Sequence, residues 1–149
     1  MKGGFKMSNL SRFLKDNKIK KENTKYAATK SLVDEKGNPL EWLIKPITTK
    51  MNDAIREDCM YEVPIKGKMG MTKEKLNTSK YISKLIVSSV IEPDLNNKEL
   101  QDSYGVMCAE DLIKEMIDDP GEYNDFALFI QNYNGFTETL QDEVEEAKN

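Results

Sequence analysis

The chain has 149 residues, a length at which folding buries roughly two-thirds of the unfolded surface and a single core can form. Apolar residues make up 38% and charged residues 32%, and no apolar run approaches the ~20 residues of a membrane span, which excludes an integral helical membrane protein. Histidine is absent, so His-based triads, zinc sites with His ligands and the usual general base near neutral pH are excluded too.

The net charge of -4 conceals a polarised chain. Residues 1–30 hold nine Lys or Arg against two acids, whereas residues 138–149 hold five acids against one Lys. A basic end alone is not a nucleic-acid footprint, which needs a clustered basic face with base-stacking or groove-reading groups, so no nucleic-acid partner is expected. Cys59 and Cys108 form no C-x-x-C pair, and nothing indicates a disulfide. Lys2-Gly3-Gly4 is encodable by a purine-rich run resembling a ribosome-binding site, with Met7 at start-codon spacing beyond it. Translation is expected to begin at Met7. Residues 1–7 are therefore set apart from a single domain over 8–136 and an acidic tail over 137–149.

Ser8 or Ser11 can cap a short helix carrying Leu10, Phe13 and Leu14 on one side. Lys15 to Lys25 is polar and reads as a linker. Tyr26 to Val33 and Leu40 to Ile47 then flank Asp34-Glu35-Lys36-Gly37-Asn38-Pro39, a run of turn formers in which Gly37 can take positive φ, so a β-hairpin is expected. Its second strand points Leu40, Trp42 and Ile44 toward the core.

Thr48 or Thr49 caps a helix in which Met51, Ile55 and Cys59 recur every four residues, making Cys59 a buried apolar group rather than a catalytic thiol. Met60 to Lys75 contains Pro64, Gly67, Gly70 and four lysines with no sustained period, and reads as a long exposed loop or arm. Its Met69 and Met71 suit an adaptable contact surface or ordinary core filling.

Asn77, Thr78 or Ser79 caps the strongest helix, with Tyr81, Ile82, Leu85, Ile86 and Val90 on one face and Pro93 ending it. Asp94 and Asn96 resemble the start of a calcium loop, but Lys98 occupies the third ligand position. Leu100 and Tyr104 share a short helix stopped by Gly105, and Leu112, Ile113, Met116 and Ile117 mark the next. Asp119-Pro120-Gly121-Glu122 sets a capping acid, a Pro at the first helical position and a Glu at the third, the arrangement of a capping box. The last helix should bury Tyr123, Phe126, Ala127 and Ile130 and stop at Gly135, leaving Leu128 and Phe129 for a second layer or a partner. Leu140 and Val144 stand at i, i+4 among acids in the tail, which reads as a frayed helix or a disordered segment. Strands early and helices late give an α+β fold, mostly helical, with an N-terminal β-hairpin or small antiparallel sheet.

Several segments resemble the XkdN-like family of phage tail assembly chaperones. They are Lys25-Tyr26, Val33-Asp34-Glu35, Gly37-Asn38-Pro39, Glu41-Trp42, Lys45-Pro46-Ile47-Thr48, Leu100-Gln101-Asp102-Ser103-Tyr104-Gly105 and Pro120-Gly121-Glu122-Tyr123. The resemblance runs from about Leu10 to Phe136, leaving the acidic tail outside. It implies a protein of the bacterial host cytoplasm that coats the tape measure protein of a contractile-tailed phage or prophage. In that role it keeps the tape measure soluble while tube subunits assemble, and leaves before the particle is complete.

The resemblance implies neither catalysis nor a cofactor, and no metal or membrane is expected. It leaves contact with tube protein and homo-oligomerisation open. A helical tape measure segment would need a groove lined by aromatic and Met side chains, for which Tyr104, Met107, Phe126 and Phe129 are the candidates. The alternative is a structural tail component, such as a tube, baseplate or tail-completion protein, with a regulatory adaptor third. Catalysis would need a convergent site, and the acid pairs Glu110-Asp111 and Asp118-Asp119 are explained by helix dipoles instead.

Overall fold

The computed structural model describes residues 9–136, so the expectations for residues 1–7 and for the tail lie outside the described residues. The elements run β1 (Thr24–Tyr26), β2 (Trp42–Ile44), α1 (Thr49–Asp58), β3 (Met60–Pro64), β4 (Thr72–Leu76), α2 (Thr78–Ser89), β5 (Val90–Glu92), α3 (Lys98–Ser103), α4 (Ala109–Met116) and α5 (Pro120–Tyr133). The fold is α+β, with helices dominant.

Four helix starts are set by side chains that accept an otherwise unpaired amide proton. Thr48 Oγ1 accepts from Met51 N at 3.1 Å and Asn77 Oδ1 from Lys80 N at 3.1 Å. Asn97 Oδ1 accepts from Leu100 N at 2.9 Å and Asp119 Oδ2 from Glu122 N at 3.2 Å. Each such cap stabilises its helix by about 1 kcal/mol.

β1, β2 and β5 form one antiparallel sheet in that order, with Tyr26 opposite Trp42 and Ile44 opposite both Thr24 and Val90. Trp42 and Ile44 alternate inward as expected and are fully buried. α2 packs against α1, α4 and α5. The main core joins Trp42, Ile44, Ile86, Leu112, Ile113, Phe126 and Ile130. A smaller cluster of Cys59, Tyr81 and Leu85, flanked by Ile47, Ile55 and Leu76, ties α1 to α2. Burial pushes the Cys59 thiol pKa up, which keeps the group neutral and apolar.

Five expectations need correction. The paired strands are Thr24–Tyr26 and Trp42–Ile44, shorter than Tyr26 to Val33 and Leu40 to Ile47, and the first begins inside the supposed linker. The connecting turn folds on its own: Asp34 Oδ1 accepts from Lys36 N and Asn38 N, and Gly37 sits at φ 84°, where a β-carbon would be strained. Leu40 thereby precedes the strand and stays exposed.

Val90 leaves the helix to open β5, because pairing with β2 gives its backbone a sheet partner. Leu10, Phe13 and Leu14 ride on two short 3-10 turns (Ser11–Phe13 and Lys15–Asn17) and remain exposed rather than forming a packed amphipathic helix.

The largest difference falls on Met60 to Lys75. It is a β-hairpin, with five register pairs from Met60–Leu76 to Pro64–Thr72. Only Met60, Val63 and Leu76 of its strand residues are part-buried and none is fully buried, so burial imposes no period-2 apolar pattern and the strands are invisible to hydrophobic periodicity.

Candidate partner-binding surfaces

The four groove candidates occupy different environments. Phe126 is 0% exposed: its ring lies 5.3 Å from Tyr26, parallel to it, and 5.6 Å from Trp42, edge-on. It is a core residue, and its contribution at a surface is indirect. Phe129, one turn along α5 and half-buried, stacks on Tyr26 at 4.2 Å and on Tyr133 at 5.9 Å. Sequence reasoning left Phe129 undecided between a second layer and a partner surface. β1 supplies the second layer through Tyr26, while one part of Phe129 stays open.

Tyr104 caps α3 and packs partly on the main core. Met107, in the connection to α4, is 95% exposed beside an open depression lined by Gly105, Val106, Asp111, Lys114 and Glu115. The structure thus brings Phe126 and Phe129 together in an aromatic cluster, and puts Met107 at a depression whose lining includes none of the three aromatic candidates.

The β3–β4 arm is a second candidate surface, foreshadowed in sequence by Met69 and Met71. Its stem is fixed: Asn77 N donates to Cys59 O at 2.9 Å, and Lys84 pairs with Asp58 at 3.1 Å. Beside that lysine, first through the hydrogen bond and then through charge, the Asp58 carboxyl is held below its ordinary pKa. The tip turns through Gly67 and Gly70, where Met69 is 100% exposed and Pro64, Ile65, Lys68 and Met71 line a shallow concavity. Lys66, Lys68, Lys73 and Lys75 make the arm basic. Such charges also discourage edge-to-edge strand aggregation, an ordinary structural reason for their presence.

A third surface was read in sequence as a helix and a linker. Leu10, Phe13, Leu14 and Ile19 stand exposed beside Arg12, Lys15, Lys18, Lys20 and Lys21. This strap is tied to the end of α5, where the Tyr133 hydroxyl donates to Glu22 O and Lys21 Nζ lies 4.4 Å over the Tyr133 ring.

The acid pairs behave as helix-start charges rather than as a convergent site, with Glu110 and Asp111 in the first turn of α4. Asp94 Oδ1 accepts from Asn96 N at 3.0 Å and closes its own turn. No group of three or more acidic or Cys side chains able to hold a metal is found among the described residues. No helix among them is long and apolar enough to cross a membrane.

Known proteins resemble the chain over nearly its whole length. The model of the phage XkdN-like tail assembly chaperone proteins matches residues 10–148, taking in the acidic tail that the sequence resemblance left outside. The Bacillus subtilis (strain 168) phage-like element PBSX protein XkdN is 31% identical over 140 residues, covering 94% of this chain and 93% of that one. The protein YqbN of the same strain is 28% identical over 144 residues, with 97% and 95% covered. A crystal structure of YqbN has the same fold, with a TM-score of 0.70 over 88% of this chain and 99% of that one at 23% identity. The chain therefore belongs to the XkdN-like family of phage tail assembly chaperones.

Proposed function

We propose that this chaperone binds the tape measure protein of its phage or phage-like element in the host cytoplasm. It keeps that long partner soluble, promotes polymerisation of a contractile tail's tube around it, and is absent from the finished particle. The observation that carries this reading is membership of a tail assembly chaperone family across residues 10–148. A chaperone family is not an enzyme class, and the reading involves binding without catalysis.

The surface chemistry supports it. A chaperone for a long, mostly helical client needs apolar contacts that tolerate varied side chains, and methionine supplies them with a flexible, polarisable thioether. Met69, Met71 and Met107 are all exposed, an unusual disposition for side chains that ordinarily fill cores. We assign client contact to Tyr104, Met107 and the open part of Phe129, with Phe126 holding that aromatic cluster from beneath. The arm tip extends the reach.

Co-expression with the tape measure protein tests the reading. The expected result is a soluble, co-eluting complex and no chain in purified particles. An insoluble tape measure protein, together with stoichiometric chain in particles, would replace the chaperone by a structural tail component. Within a successful complex, combined alanine substitutions at Tyr104, Met107 and Phe129 are expected to reduce co-elution, and unchanged co-elution would move the contact elsewhere.

A further inference from the structure

We infer that the acidic C-terminal tail, residues 137–149, docks on the exposed basic strap formed by residues 10–21 of the same chain. The strap departs from the rule that apolar side chains seek cover. Phe13 is 85% exposed, Ile19 92%, Leu10 73% and Leu14 52%, four apolar groups within ten residues. Asn17 Nδ2 donates to Ser11 O at 2.6 Å and closes the two 3-10 turns on each other, so this surface has a fixed local shape. An apolar surface with a defined shape and no cover calls for an occupant.

Charge, position and length select the tail. Residues 10–21 carry five cations and Asp16, a net +4. Residues 137–149 carry Glu138, Asp142, Glu143, Glu145 and Glu146 against Lys148, a net -4. Leu140 and Val144 stand among those acids at one-turn spacing, so the tail offers apolar groups flanked by negative charge to a surface of apolar groups flanked by positive charge.

The tail also starts in the right place. Tyr133, the last residue of α5, binds the carbonyl of Glu22 and lies under Lys21, so the tail is tethered only four residues in sequence beyond a contact with the end of the strap. Thirteen extended residues span roughly 43–47 Å, ample to run back along a strap of twelve. The antiparallel order sets Leu140 near Ile19 and Val144 near Phe13. A segment tethered this closely is present at millimolar effective concentration, so even weak complementarity keeps it docked.

Disulfide trapping tests this in full-length protein, with Cys108→Ser removing the exposed native thiol and buried Cys59 retained. Ile19→Cys paired with Leu140→Cys is oxidised with glutathione disulfide and compared with Met69→Cys paired with Leu140→Cys. A trapped pair requires α-carbons within about 7 Å. The expected result is intramolecular crosslinking about tenfold faster for the strap pair and independent of protein concentration. Lys15→Glu, Lys18→Glu, Lys20→Glu and Lys21→Glu together should bring that rate down to the reference. Adding Glu138→Lys, Asp142→Lys, Glu143→Lys and Glu145→Lys should restore it, which separates lost pairing from a damaged fold. Equal rates for the two pairs, crosslinks between chains that rise with concentration, or indifference to charge reversal would each overturn the inference.

Discussion

The body of the domain and the β3–β4 arm have similar hydrogen-bonded regularity and opposite energetics. In the body, Trp42, Ile86, Leu112 and Phe126 exclude water from one another, and each buried side chain of this size contributes about 1.5–3 kcal/mol. The arm has five register pairs and no fully buried residue, so its backbone ladder is its main local source of order. Regular secondary structure thus says little about where stability resides.

The largest expected effect breaks the body. Phe126→Ala removes a ring stacked on Tyr26 and edged by Trp42, and should cost about 3–5 kcal/mol in urea unfolding. A loss below about 1 kcal/mol would mean the aromatic cluster is not the centre of the core.

Next, a short Asn-Gly turn replacing Val63 to Lys73 removes the arm tip and spares Cys59 and Leu76 at its stem. Stability should change by less than about 1 kcal/mol while tape measure capture falls. Global unfolding of this variant would abolish the distinction drawn between the two regions.

Asp119→Ala probes the edge of the body by removing the cap of α5, with an expected loss of about 1 kcal/mol in thermal unfolding. Glu122 offers a pH test of the same junction. Its carboxyl is held below the ordinary value of 4.5, first by the Thr29 hydroxyl and then by the Lys30 amide. A depressed pKa contributes stability that is fully present above 4.5 and lost as pH falls through the folded-state value. Wild type should therefore exceed Glu122→Gln in stability at pH 7, with the gap closing under acid titration. A constant gap would assign the effect to shape rather than charge. The smallest effect is expected at the arm tip, where Met69→Ala should alter stability by no more than about 0.5 kcal/mol.

The helical half was legible because its signals are local. The inner stripe Phe126, Ala127 and Ile130 follows from the 3.6-residue period, and Asp119 announces its helix with a side chain three residues from the amide it caps. The arm was illegible for the converse reason, since strands with no fully buried residue carry no alternation to read. Of the groove candidates, Met107 stands exposed, which no sequence signal announced. Phe126 shows the limit: one aromatic in a helix stripe serves core and groove equally well until its neighbours are known.

Glu122 marks the same boundary. The sequence alone determines that a Glu stands at the third position of α5, and a capping box is its local reading. In the folded chain the Glu122 carboxylate instead accepts from Thr29 Oγ1 at 2.7 Å and from Lys30 N at 2.8 Å, joining the helix start to the segment after β1. Periodicity and caps determined the main helices and the Trp42 strand, since these depend on neighbours within about one turn. Tertiary structure alone decided which strands pair, which aromatics are spared for the surface and where that carboxylate bonds. Those outcomes depend on groups distant in sequence, some ninety residues apart for the carboxylate, that only the folded chain brings together.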